Sequence, residues 1–215
     1  MKNPLIIIIG PGKTFGVDIA RKFGLNGYDI LLVGKNQDKL KYCSELLNGN
    51  GINSSFLSVD LKSEDSIRSI FINVEKEGRS VAAVIFNAVT RRNSKPSELN
   101  GEKLIGDFKV NVSVAVECFH VVSQIFQKQG HGAMLFTGGG VALKPSLEAA
   151  SMSLCKAALR NYVLNLAHEY SGTGIYIGLL TITKPVSETS DINFRIVADC
   201  FYRMFRERND TEYFL

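Results

Sequence analysis

The stretch LIIIIGPGKTFGVDIARKF, residues 5–23, decides how the rest of the chain is read. Leu5–Ile9 is an unbroken apolar run that lacks the alternation of a half-buried strand. It reads as a strand covered on both faces. The run stops at Gly10, and a helical pattern opens at Phe15. Strand, glycine-rich turn and helix start, in that order, make a phosphate cradle. Glycines admit the tight turn and the close approach of backbone N–H groups, and the helix N-terminus favours an anion. Gly10, Gly12 and Gly16 supply the glycines in a spacing other than G-x-G-x-x-G, with Lys13, Thr14 and Phe15 completing the turn. GPGKT also looks like the end of a nucleoside-triphosphate loop. That motif needs a glycine five residues before Gly12, where Ile7 lies inside the strand.

Outward from this stretch the alternation of strand and helix continues. Strands are predicted at Leu5–Ile9, Tyr28–Val33, Ser54–Val59, Val81–Phe86, Ala133–Thr137 and Ile175–Ile182. Helices are predicted at Phe15–Gly24, Asn36–Leu47, Ser63–Glu77, Gly101–Lys128 and Ser146–His168. Buried strands alternating with helices imply an α/β chain: a doubly wound parallel sheet with helices on both faces. No repeat or linker interrupts it, so residues 1–215 are expected to form a single domain. Two long helical stretches, Phe108–Gln127 and Leu147–His168, carry apolar residues on more than one stripe. The extra surface either pairs with a second subunit or packs beneath the sheet edge; the first is the reading taken, a homodimer or homotetramer formed through these helices.

Composition excludes several classes. A hydrophobic share of 45% and a charged share of 21% describe a globular chain rather than a disordered one. The net charge of +4 is mild and its basic residues are scattered, so no nucleic-acid partner is expected. Leu5–Ile9 is too short for a signal core or a bilayer span, and no membrane association is predicted. Cys43, Cys118, Cys155 and Cys200 show no metal-ligand spacing, so no metal site is expected and reduced thiols in the cytoplasm are the default. His120, His131 and His168 form neither a metal pair nor a triad.

The second predicted strand ends at Gly34-Lys35-Asn36. An acidic residue there would accept hydrogen bonds from a ribose and repel a 2′-phosphate. Lys35, with Lys13 in the glycine loop, predicts the reverse: NADP(H) preferred over NAD(H).

Later features, in order, resemble the short-chain dehydrogenase/reductase family over nearly the whole chain, and so imply its Rossmann-type fold. Val59-Asp60-Leu61 resembles the turn whose aspartate meets the adenine amino group. Phe86-Asn87-Ala88-Val89 resembles the family's Asn-Asn-Ala-Gly. Asn111, in KVNVS, resembles the asparagine that holds a water in the proton relay. Lys156 resembles the lysine of Tyr-x-x-x-Lys, which hydrogen-bonds the nicotinamide ribose, and LLTITKP resembles the sixth strand. The departures are equally specific. The family's middle glycine falls on Thr14, its serine on Gly139 and its tyrosine on Met152. Val186–Asp191, before the last helix, is short, which implies an open cleft.

Carbonyl reduction needs a cofactor facing the carbonyl and a group that protonates the developing alkoxide. Met152 has no proton to give. Lys156, one turn on, lies on the same helix face and is the candidate donor, with Asn111 as anchor. Three readings stand: an NADP(H)-dependent oxidoreductase of a carbonyl or alcohol with an atypical donor, an inactive NADP(H)-binding sensor or partner protein, and a module that has lost the cofactor. Arg91 and Arg92 could meet an anionic substrate or merely face solvent, and solvent is the reading taken.

Overall fold

The computed structural model describes residues 3–12 and 14–215, so Lys13 lies outside the described residues. β1 (Leu5–Ile9) is fully buried and pairs in parallel with β2 (Asp29–Gly34) on one side and β4 (Val81–Phe86) on the other. With β3 (Ser54–Ser58), β5 (Gly132–Thr137), β6 (Ile175–Thr181) and β7 (Glu212–Phe214), the order is β3-β2-β1-β4-β5-β6-β7, all parallel. Successive side chains of a strand leave on opposite faces, and β1 shows what each face meets. Leu5, Ile7 and Ile9 pack into a core with residues of α3 (Glu64–Lys76), α5 (Val114–Gln129) and α6 (Ala150–Glu169). Ile6 and Ile8 pack with α1 (Phe15–Gly24), α2 (Gln37–Asn48) and α7 (Phe194–Glu207). This is the doubly wound, Rossmann-type architecture expected of apolar strands without alternation.

Helix starts follow the local chemistry of the sequence. The side chains of Asn36, Ser63 and Asn100 accept from Lys39 N, Ser66 N and Lys103 N, capping α2, α3 and α4 (Gly101–Phe108). Two expectations need correction. The helix predicted over Gly101–Lys128 is not continuous: α4 and α5 are joined by a π turn, Lys109–Ser113. The helix predicted from Ser146 begins at Ala150, because the preceding segment pairs with the loop after β4. There Ser94 N donates to Glu148 O at 3.1 Å and Ala150 N to Ser94 O at 3.0 Å. β7 lies outside the six predicted strands, since three residues carry no readable period.

Candidate functional site

Every strand of the β3-β2-β1-β4-β5 run delivers a predicted site residue at its C-terminal end. Strand order reverses between β1 and β4, and in open α/β sheets that crevice is where ligands bind. At the crevice Gly10 has φ +74°, and a Cβ there would stand 2.4 Å from Ala88 Cα. Only glycine lets the two chains pass so closely. Gly12, at φ +68°, is exposed with nothing near its Cα hydrogens. Thr14 keeps φ at −122°, as a branched residue requires, and caps α1 without a side-chain hydrogen bond. Gly16 is buried and donates its N–H to Pro11 O at 2.7 Å. Phe15 turns its ring onto Phe201 of α7, centroids 6.5 Å apart, so it contributes backbone rather than side chain to the turn. The start of α1 carries no side-chain cap, although Gly16 N–H and Val17 N–H donate to Pro11 O and Thr14 O, and a phosphate here would meet the helix N-terminus more than a row of free N–H groups.

Beside it, Lys35 at the end of β2 is 79% exposed at its side chain and stands 3.7 Å from Asp60. Asp60 accepts from Lys62 N, and that hydrogen bond, opposed by burial and helped by Lys35, holds its carboxyl below the usual range. Leu61 packs against the core below.

The centre of the crevice is a chain of polar bonds running across the sheet. Asn87 Nδ2 donates to Gly10 O at 2.7 Å. Thr137 Oγ1 donates to Asn87 Oδ1 at 2.9 Å. Lys156 Nζ donates to Thr137 O at 2.6 Å. Ala88, buried against Gly10, closes the floor. Lys156 is 8% exposed. Burial, with a smaller push from Arg91, lowers its pKa to about 8. Met152 lies half-buried one turn earlier on α6. Gly139 is half-buried, and a Cβ there would find Lys156 Cγ and Val141 at 3.9 Å, an ordinary contact.

Asn111 sits in the π turn, a local widening that recurs at functional sites. Its side chain grips the loop after β4: Oδ1 accepts from Thr90 N at 3.1 Å, and Nδ2 donates to Thr90 O at 3.1 Å and Asp107 O at 2.8 Å. Asp107 itself is missing from the sequence reading. It is a carboxylate 2% exposed, taking Ser151 Oγ at 2.7 Å and Arg92 at 3.2 and 3.3 Å. Its signal was an acidic residue one helical turn before Asn111, on the same face.

Three comparisons bear on this geometry. The model of the short chain dehydrogenase family matches residues 4–190. The chain is 22% identical over 177 residues to the 7beta-hydroxysteroid dehydrogenase of Collinsella aerofaciens, covering 82% of this chain and 66% of that one. It is 24% identical over 191 residues to the human inactive hydroxysteroid dehydrogenase-like protein 1, covering 86% of this chain and 56% of that one. The chain therefore spans less than two thirds of the length of either relative. Among solved structures, L-sorbose reductase from Gluconobacter frateurii, complexed with NADPH and L-sorbose, superimposes with a TM-score of 0.91 at 18% identity, covering 100% of this chain and 95% of that one. At that identity the likeness is one of fold.

Proposed function

Because the chain belongs to the short chain dehydrogenase family, we propose that it is an NADP(H)-dependent oxidoreductase of a carbonyl or alcohol, with Lys156 in the role of proton donor. The observation that carries this reading is Lys156: a buried ammonium held against Thr137 O, its pKa brought down to about 8. At that value a proton is exchanged readily near neutral pH. The glycine turn and the start of α1, which has no side-chain cap, suit a pyrophosphate, and Lys35, with no acidic residue at the end of β2, suits a 2′-phosphate. A reduced nicotinamide dinucleotide, when bound, supplies the hydride. The protein's part is then to hold the carbonyl oxygen near Lys156 Nζ, which gives it a proton and regains one from solvent. Asn111 fixes the loop that borders this space, and Met152, one turn before Lys156 on α6, has no proton to give.

The NADPH complex of the sorbose reductase supports the cofactor, and buried thiols at Cys118, Cys155 and Cys200 suit a cytoplasmic setting. Among the described residues no helix is long and apolar enough to cross a membrane.

Calorimetric titration with NADPH and NADH tests the reading. NADPH is expected to bind at least about tenfold more tightly, and Lys156→Ala to weaken it. Loss of preference would remove Lys35 from the ribose site. Unchanged affinity in Lys156→Ala would remove the lysine.

One observation favours a second reading, an NADP(H)-binding sensor or partner protein without turnover: neither Gly139 nor Met152 offers a proton, and the human relative is named inactive. The double change Gly139→Ser and Met152→Tyr separates the two. It leaves binding intact under both. If substrate-dependent NADPH oxidation exists only in the double variant, the sensor reading stands.

A further inference from the structure

Behind Lys156 a ring of contacts closes through β7. Lys156 and Arg160 lie one turn apart on the same face of α6, and each grips the sheet. Lys156 Nζ donates to Thr137 O at the end of β5. Arg160 forks onto Glu212 of β7, with Nε donating at 2.9 and 3.1 Å and Nη2 at 2.7 Å. Glu212 also accepts from Thr181 Oγ1 at 2.6 Å, and that threonine, the last residue of β6, is fully buried. β6 returns the line to β5: Thr137 is in register with Leu180, and Gly138 N–H donates to Leu180 O at 2.8 Å. Gly138 leaves room for the threonine hydroxyl, since a Cβ there would stand 2.8 Å from it. The register of β7 is set on both sides of Glu212, by Leu179 N donating to Thr211 O at 2.7 Å and Leu215 N to Thr181 O at 3.1 Å.

Stability alone does not account for such a pair. The Glu212 side chain is 9% exposed. Burial pushes its carboxyl up, but Arg160 and Thr181 more than offset this, so it is ionised at neutral pH. Taking two charges out of water costs about as much as their attraction gains, and an uncharged pair of similar volume is often as stable. What the pair adds is geometry, because a guanidinium fork on a carboxylate fixes both distance and angle. Here the fork stands one helical turn from the amine and sets how far α6 lies along the sheet. A lysine side chain is a flexible four-carbon stem, and its ammonium has one hydrogen bond, to Thr137 O. It is held there only while helix and strand keep their offset. We propose that Glu212 is a positioning residue for Lys156, acting through Arg160 to hold α6 at the offset from β5 that keeps the amine buried against Thr137 O. This rests on the reading of Lys156 as the reacting group and adds how the fold keeps it in place.

The test is the double variant Arg160→Met with Glu212→Gln. Glutamine keeps an acceptor for Thr181, methionine covers similar surface, and no charge is left stranded. Its stability to urea is expected to stay near that of the wild type. In the same protein, free of ligand, the Lys156 titration followed by lysine Cε resonances is expected to move from about 8 toward the ordinary 10.5, reaching about 9 or higher, as the amine gains water. The charged groups that act on Lys156 are Arg91 and Cys155, so a change on removing Arg160 and Glu212 is one of position. Arg160→Lys keeps the cation but not the fork, and is expected to move the titration in the same direction. A Lys156 titration that stays at about 8 in either variant, or that moves only together with a loss of stability, overturns the proposal and leaves the pair as an anchor for β7. NADPH binding and turnover enter none of these measurements. Their failure sinks the oxidoreductase reading, and the positioning role stands or falls on the titration.

Discussion

Lys156 shows how much one residue's chemistry depends on where the fold puts it. In water its ammonium would be a poor acid at neutral pH; burial and the nearby Arg91 cation bring its pKa to about 8. Under the proposed donor role of Lys156 the protonated form is the donor in the reductive direction, so turnover should fall as pH rises through about 8. A pH–rate profile without that descending limb would move the proton elsewhere. The same shift has a cost in stability. Between about 8 and the ordinary value of 10.5 the unfolded chain binds more protons at this lysine than the folded one, so stability rises with pH across that window. Below it the full penalty applies, on the order of 3 kcal/mol. Lys156→Met should therefore unfold at higher denaturant near pH 7 than the wild type, with the gap closing toward pH 10.5. The sequence made Lys156, Gly139 and Met152 legible because each stands at a fixed distance along the chain from a pattern. Asp107 was not legible, because one-dimensional order does not show that Arg92, on the loop after β4, and Ser151, at the start of α6, meet at its carboxylate.

At the scale of elements, the turn between α4 and α5 is where sequence reading and structure part. Periodicity carried the helical stretch straight through Lys109–Ser113, since a π turn keeps helical backbone angles and leaves the apolar pattern almost unchanged. What it does is rotate α5 relative to α4, so that Asp107 and Asn111 address α6 and the loop after β4. α6 has no side-chain cap of its own at Ala149. Asp107 replaces one from outside, through Ser151 in the first turn, where a negative charge is favoured. Burial alone would raise the Asp107 pKa, but Arg92 and Ser151 more than offset it, and the carboxyl titrates below its usual value. Its contribution is present above the ordinary carboxylate pKa and is lost as pH falls through the lowered one. Asp107→Ala should destabilise the protein by about 2 kcal/mol, because it strands a charged partner and a buried hydroxyl. It should also flatten the acid limb of the stability profile. Chemical denaturation between pH 3 and pH 7 reads both, and a variant as stable as wild type would show that Asp107 is a passenger.

For the molecule as a whole, the doubly wound sheet was legible because Leu5–Ile9 and Val81–Phe86 are apolar at every position, which a sheet covered on both faces explains. β7 was not, because Glu212–Phe214 is held by β6 and by the Arg160–Glu212 pair rather than by any pattern of its own. Around the sheet, Ile105 is 71%, Phe108 40% and Leu154 50% exposed on α4 and α6. We propose that these side chains are covered in a homodimer or homotetramer. Sedimentation should give an assembly that Leu154→Arg dissociates; a wild-type monomer at micromolar concentration would end the idea. Inside, the line Gly10, Asn87, Thr137, Lys156 joins the glycine turn to the amine by three hydrogen bonds across β1, β4, β5 and α6. Thermodynamic reciprocity then applies: whatever factor the charge state of Lys156 imposes on affinity at the turn, a ligand at the turn imposes on the basicity of Lys156. Adenosine 2′,5′-bisphosphate, which fills only the turn, should shift the lysine's titration, and Thr137→Val, which removes the middle hydroxyl alone, should uncouple the two ends. If the glycine turn holds a phosphate as proposed, the crevice becomes an instrument that reports, at its amine, whether that end is filled.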